Sequence, residues 1–398
     1  MKINKNSKKI DEVLTRRVQE ILPTKEAFKK LMSKKSIRLY LGIDPTGTRL
    51  HLGHSIALRK LREFAELGHE SILLIGTGTV LAGDPSERDK SRPHITQKEI
   101  DNNMATWKKQ ASKILDFSKI KIKYNGDWLL KLDLAGMLSI ASNISAVHLF
   151  QRDMFKRRMK ANDTIWMHEI LYPLLQGYDS VAMDVDLEIG GTDQVFNMLI
   201  GRELQQKMNN REKFILTVPM ILGTDGKQMS KTSGNCVWLA DSPQEMFGKI
   251  MSMPDSMIIS YFELLTDVPI KKIKQYSKDL NNKKVNPKNL KEELALEIVK
   301  FYHSEKEAKK AQKEFKKIFV KDEIPENIKK ISVREKEMDL LSLLVDVKMA
   351  ISKSEAKRLV MQKGVKIDSK IEDDWKKVVK IKKGQIIQVG KRKFVEIK

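Results

Sequence analysis

Charged positions at the start of the chain alternate with Val13, Leu14, Val18, Ile21 and Leu22 at helical spacing, which predicts an opening amphipathic helix ended by Pro23. An apolar run from Leu39 to Ile43 then meets Asp44-Pro45-Thr46-Gly47 and passes through His51-Leu52-Gly53-His54 into Ala57, Leu61, Phe64 and Ala65, again at helical spacing. This reads as strand, turn and helix, the helix stopping at Gly68 and a second buried strand following at Ser71–Ile75. Strand, helix, strand over this length is a parallel βαβ unit, so the first half is expected to be α/β. Residues 130–160 read as helices with Gln151-Arg152-Asp153 and Arg157-Arg158 on exposed faces. An apolar strand then runs into Glu188-Ile189-Gly190-Gly191-Thr192-Asp193-Gln194, followed by a helix over Val195–Lys207, the segment Val218–Leu222, and a flexible loop, Gly226–Asn235. From Ser242 to Lys330 the pattern is helical and Lys-rich, with breaks at Asp267-Val268-Pro269 and Asn286-Pro287. Ser352-Lys353-Ser354-Glu355 is a capping box opening a helix that ends at Gly364, and short strands follow through Val395.

A helix starting near Gly53 aims unpaired backbone N–H groups and a positive dipole end over the preceding turn, with His51 and His54 beside it as donors. Phosphate suits that position. The usual phosphate loops are absent: no G-x-G-x-x-G follows the strand, and Gly78 to Gly83 has P-loop spacing but continues into Asp84-Pro85. The two histidines could instead be plain turn residues or metal ligands. With seven His and one Cys, however, a closed zinc site is short of ligands, and no metal site is expected.

At 398 residues the chain should divide into two or three domains. It has no apolar run long enough to span a membrane and no signal-peptide order at its start, so a cytoplasmic protein is expected. Cys236 alone suits a reducing compartment. The formal net charge is +23, of which +16 falls after residue 270, so a polyanionic partner should meet mainly the C-terminal part.

Two further clusters set hydrogen-bonding groups beside apolar residues, as a small-molecule pocket would: Tyr172-Pro173-Leu174-Leu175-Gln176-Gly177-Tyr178-Asp179 and the run ending in Asp193-Gln194. Taken in order, HLGH, LLQGYD, IGGTDQ and QMSKT make the chain resemble the tyrosyl-tRNA synthetases, a class I family. The Met-Ser of QMSKT and the continuation VFNMLIGRELQ are similar to the bacterial subgroup whose second signature reads KMSKS. Two positions depart from the pattern: Gln228 stands where that signature has its first lysine, with Lys227 one place earlier, and Val195 follows GGTDQ.

The resemblance implies an enzyme that joins L-tyrosine to ATP as tyrosyl-adenylate, releases pyrophosphate, and then esterifies the 3′ end of tRNA(Tyr). Mg2+ enters as the counter-ion of ATP. Carried onto this chain, His51, His54, Ser230, Lys231 and Thr232 would act on the phosphates. Asp44, Thr46, Gly53, Gly191, Asp193 and Leu222, with Lys231, would hold ATP. Tyr40 and Asp179 would face the phenol hydroxyl, Asp84, Tyr172 and Gln176 the ammonium, and Gln194 the carboxylate. The implied architecture is a Rossmann-like parallel-sheet catalytic domain over 1–235, a helical anticodon-binding domain over 236–332, and a small α+β RNA-binding domain over 333–398 like one in a ribosomal protein. On the last, Lys353, Lys357, Arg358 and Lys363 would contact tRNA phosphates. Family members are homodimers. Two rival readings are a related ligase for tryptophan, disfavoured by Tyr40 with Asp179, and a noncatalytic RNA-binding descendant, hinted at by Gln228.

Overall fold

Five parallel strands and one antiparallel edge strand form the sheet on which the site is built. A computed structural model describes residues 3–86, 95–231, 233–320, 328–333, 335–390 and 393–398, and divides the chain into two compact units, Met1–Glu305 and Lys306–Lys398. In the first unit the strands are β1 (Glu20–Leu22), β2 (Arg38–Ile43), β3 (Glu70–Ile75), β4 (Ile120–Tyr124), β5 (Leu187–Gly191) and β6 (Phe214–Val218), in the order β1-β6-β5-β2-β3-β4. Leu39, Tyr40, Ile72, Leu74, Leu187, Ile189, Ile215 and Leu216 are all buried, as expected of strands covered on both faces. From β2 the chain builds outward to β3 and β4, then returns to the other side of β2 for β5 and β6. The crevice at the carboxyl ends of β2 and β5 is therefore the switch point where open α/β sheets take ligands.

The helix that follows β2 runs Leu52–Glu66 with His51 as its N-cap. Across the sheet, the helices Met167–Met183 and Val195–Asn209 approach closely at two glycines: a Cβ on Gly177 would lie 3.1 Å from the Cα of Gly201. From the first helix Gln176 reaches Glu188 of β5, Ser180 reaches Tyr40 of β2, and Asp179 reaches Asn125 and Trp128.

Two expectations are corrected. The opening segment is not one helix: Ser7–Val13 is helical, Glu20–Leu22 pairs antiparallel with β6, and a separate helix spans Lys25–Lys34. Backbone bonds to a buried edge outweigh helical spacing there, since three residues are too few to display a strand period. Arg152 and Arg158 are not on solvated faces. Arg158 is buried against Glu169, at 2.8 and 3.1 Å, and Arg152 is buried with its Nη2 on Ser86 Oγ.

The helices Pro243–Met251, Ile258–Leu265, Ile270–Asn281 and Pro287–Tyr302 complete the first unit. They are fastened to the sheet region by arginines: Arg17, Arg59 and Arg62 converge on Asp267 at 2.9 to 3.2 Å, and the Arg59 guanidinium lies 3.6 Å from the ring centre of Phe301. In the second unit, strands Lys329–Ile331, Val365–Ile367, Lys370–Glu372, Ile386–Val389 and Lys393–Ile397 form one sheet. Its core gathers Leu340, Leu344, Val360, Val365, Ile387 and Val395. Helix Lys353–Met361 packs here, with Ser352 Oγ accepting from Glu355 N. Among the described residues no helix is long and apolar enough to cross a membrane.

Candidate active site

A cleft of about 510 Å³ opens at the switch point. Its walls contain Tyr40, Asp44, Thr46, His51, Gly53, His54, Asp84, Tyr172, Gln176, Asp179, Gly191, Asp193, Gln194, Ser230 and Lys231, so fifteen of the residues singled out from sequence meet in one place. Leu222 is outside the lining, about half exposed, with its carbonyl taking the Tyr261 hydroxyl at 2.6 Å. Thr232 lies outside the described residues. Lys353, Lys357, Arg358 and Lys363 belong to the second unit; three of them are exposed, whereas the Lys357 ammonium sits 4.0 Å from the ring centre of Trp375. No group of three or more His, Cys, Asp or Glu among the described residues could hold a metal ion.

His51 and His54 cap the helix reciprocally. His51 Nδ1 accepts from Gly53 N and His54 Nδ1 accepts from His51 N, each at 3.1 Å, with the rings 3.8 Å apart. A Cβ on Gly53 would come within 2.9 Å of the His51 ring, so the cap requires glycine there. Burial, reinforced by the nearby Lys231 ammonium, holds His51 down to about 3 and His54 well below the usual imidazole range. Both rings are neutral at pH 7. With each Nδ1 occupied as an acceptor, the proton is on Nε2, and each ring is an Nε2–H donor.

Opposite the histidines, Lys231 Nζ donates to Thr46 Oγ1 at 3.2 Å, closing the second signature loop over the first signature turn. Asn235, buried, holds that loop: its Oδ1 accepts from Ser230 N at 2.9 Å while its Nδ2 donates to Asp225 and to the Gln228 carbonyl. At the cleft floor, Asp44 accepts from Thr79 Oγ1 at 2.7 Å and Tyr172 OH at 2.9 Å.

The deep end is a carboxylate and a phenol. Asp179 accepts from Asn125 Nδ2 at 3.0 Å and Trp128 Nε1 at 2.8 Å; burial raises its pKa well above the carboxylate range against the pull of those two donors. Tyr40, buried, has its hydroxyl 3.0 Å from Ser180 Oγ, and burial next to Glu188 keeps it neutral far above neutral pH. Gln194 Nε2 donates to Asp84 at 2.8 Å and Asp193 at 2.9 Å, while Ser86 N donates to Asp84 at 2.8 Å. Asn125, Trp128, Ser86, Ser180, Glu188 and Arg152 were not singled out from sequence. In sequence Arg152 reads as a solvated cation; the one usable signal is a polar or charged residue set inside an apolar stretch.

Residues 32–320 match the family described as tRNA synthetases class I (W and Y), which sets the class: an aminoacyl-tRNA synthetase. The chain is 43% identical over 387 residues to the tyrosine–tRNA ligase of Thermotoga maritima, covering 97% of this chain and 96% of that one. It is likewise 43% identical over 386 residues to that of Photobacterium profundum, covering 96% and 97%. The fold is also that of a C-terminally truncated mitochondrial tyrosyl-tRNA synthetase from Aspergillus nidulans, with TM-score 0.67, 22% identity, and 78% of this chain and 94% of that chain covered. The chain belongs to the tyrosine–tRNA ligase family of class I aminoacyl-tRNA ligases.

Proposed function

We propose that this cleft carries both half-reactions of the family on L-tyrosine, ATP and tRNA(Tyr). In the first, a carboxylate oxygen of tyrosine attacks the α-phosphorus of Mg2+-ATP, the bond to pyrophosphate breaks, and tyrosyl-adenylate forms. In the second, a hydroxyl of the tRNA 3′-terminal ribose attacks the adenylate carbonyl and AMP leaves. Neither step needs a covalent enzyme intermediate, so holding the reactants in line and stabilising charge on the phosphates carry the catalysis.

In this reading His51 and His54 donate their Nε2 protons to phosphate oxygens, and the Lys231 ammonium neutralises the pyrophosphate with Ser230 and Thr232 on the same loop. Asp44, Thr46, Gly53, Gly191 and Asp193 hold the nucleotide, without Leu222, which lies outside the cleft. Tyr40 and Asp179 take the phenol hydroxyl, Asp84, Tyr172 and Gln176 the ammonium, and Gln194 the carboxylate. The observation that carries the assignment is the Lys231–Thr46 contact, which brings the two signature segments together over the same cleft that ends in Tyr40 and Asp179.

The helical part over 236–332 meets the anticodon end of the tRNA, and the part over 333–398 contacts its backbone through Lys353, Lys357, Arg358 and Lys363. The enzyme works as a homodimer in the cytoplasm. Dimerisation is supported by large apolar side chains left exposed along one stretch of chain, among them Leu130, Leu134, Leu138, Val147 and Met167. The test is charging of total tRNA with labelled tyrosine in the presence of ATP and Mg2+: tyrosyl-tRNA should accumulate, and failure to charge removes the second half-reaction.

A further inference from the structure

At the deep end of the cleft, which Glu188 lines, lies an almost fully buried ion pair. Lys213 and Glu188 have side-chain exposures of 0% and 3%. Pairs this deep gain little over apolar packing of the same volume, because two charges must be stripped of water to form them. Stability therefore gives a weak reason for this one to be here. Its connections give a stronger one. Lys213 Nζ also donates to Ser180 Oγ at 2.9 Å, and that oxygen lies 3.0 Å from the Tyr40 hydroxyl. On the other side Glu188 accepts from Gln176 Nε2 at 3.0 Å, while Gln176 Oε1 accepts from Asn197 Nδ2 at 3.0 Å.

We propose that the Lys213–Glu188 pair is a positioning element for both ends of the tyrosine pocket, holding the Tyr40 hydroxyl in place for the substrate phenol through Ser180 and leaving Gln176 as an acceptor for its ammonium. An ammonium can only donate and a carboxylate can only accept, so Ser180 gives Lys213 a lone pair and Gln176 gives Glu188 its amide nitrogen. The Ser180 oxygen so fixed lies 3.0 Å from the Tyr40 hydroxyl, and Glu188 is a second partner of that hydroxyl. Asp179, with each oxygen already holding one donor from Asn125 or Trp128, keeps a lone pair for the phenol proton. The substrate hydroxyl thus meets the Tyr40 hydroxyl and Asp179, two groups that a phenyl ring leaves unsatisfied. At the other end the carboxylate of Glu188 turns the Gln176 amide nitrogen away from the cleft, so its oxygen faces the ammonium. Burial lowers the Lys213 pKa while Glu188 opposes that shift, in keeping with a charge retained for its partner.

The inference rests on the tyrosine reading of the cleft, and ATP–pyrophosphate exchange with tyrosine and with phenylalanine separates the two. Ser180→Ala interrupts only the phenol branch: KM for tyrosine should rise about tenfold with kcat held, while phenylalanine is unaffected, so the preference for tyrosine falls by the same factor. Lys213→Met alone strands Glu188 and is expected to unfold the chain, so the charge-neutral double change Lys213→Met with Glu188→Gln is used beside it. The double variant should raise KM for both amino acids, because both carry the ammonium. Equal effects of Ser180→Ala on the two substrates, or none on either, would overturn the positioning role. Absence of tyrosine-dependent exchange in the unaltered chain would overturn the reading beneath it.

Discussion

Lys231 Nζ and Thr46 Oγ1 are 3.2 Å apart although 185 positions separate them in sequence. The bond closes a loop held by Asn235 onto the turn that ends β2, and it leaves the Lys231 ammonium close enough to lower the pKa of both His51 and His54. A cation and two neutral donors thus face one space, the requirement for binding a chain of phosphates as its charge shifts.

Removing that cation should slow chemistry and spare binding. Lys231→Ala is expected to lower the rate of adenylate formation by about a hundredfold or more, with tyrosine affinity and tRNA affinity little changed. Single-turnover kinetics at saturating tyrosine, beside equilibrium tyrosine binding, checks the split.

The histidine cap predicts an acid limb in stability. Folded His51 titrates at about 3, against 6.5 for the free side chain, and His54 is shifted the same way by burial. Between those values the unfolded chain binds more protons than the folded one. The stabilisation is therefore complete above the unfolded pKa and is lost as pH falls toward the folded one. Urea unfolding should show stability dropping from pH 7 to pH 5, and His51→Asn, which keeps a capping side chain, should flatten that drop.

Much of this arrangement is legible in the sequence. The apolar run into Asp44-Pro45-Thr46-Gly47 and the helix after His51 announce a strand, a turn and a phosphate-sized N-terminus, because turn chemistry and helical spacing are local signals. The three-residue strand at Glu20–Leu22 is not legible, since its only reason to be extended is the partner edge at Phe214–Val218, two hundred residues on. Lys213, Glu188, Arg152 and Arg158 escape notice for a different reason: a charged residue in a string of letters reads as solvated, and only tertiary partners make its burial tolerable. Leu222 follows an apolar segment toward the cleft, yet its side chain turns outward once its backbone pairs with Gln228.

At the phenol end, Tyr40→Phe removes the hydroxyl proposed to meet the substrate hydroxyl and should cut the preference for tyrosine over phenylalanine by about tenfold. The ratio of kcat/KM values in exchange assays measures it directly.

The exposed apolar stretch predicts self-association. Leu134→Asp, at a side chain 74% exposed, should leave folding intact and shift the chain toward monomer in sedimentation velocity. An unchanged sedimentation coefficient would assign that surface to another partner.

On the second unit, Lys353→Glu with Arg358→Glu should weaken tRNA binding and reduce the slope of log affinity against log salt by about one for each phosphate no longer neutralised. Tyrosine activation should not change. Lys357, lying against Trp375, should contribute less to that slope than its two exposed neighbours.

Which amino acid the cleft activates is decided by ATP–pyrophosphate exchange with the purified chain, each standard amino acid being supplied in turn. Tyrosine alone should support rapid exchange. Exchange with tryptophan and not tyrosine, or with no amino acid while tRNA still binds, would contradict a cleft built for tyrosine and ATP.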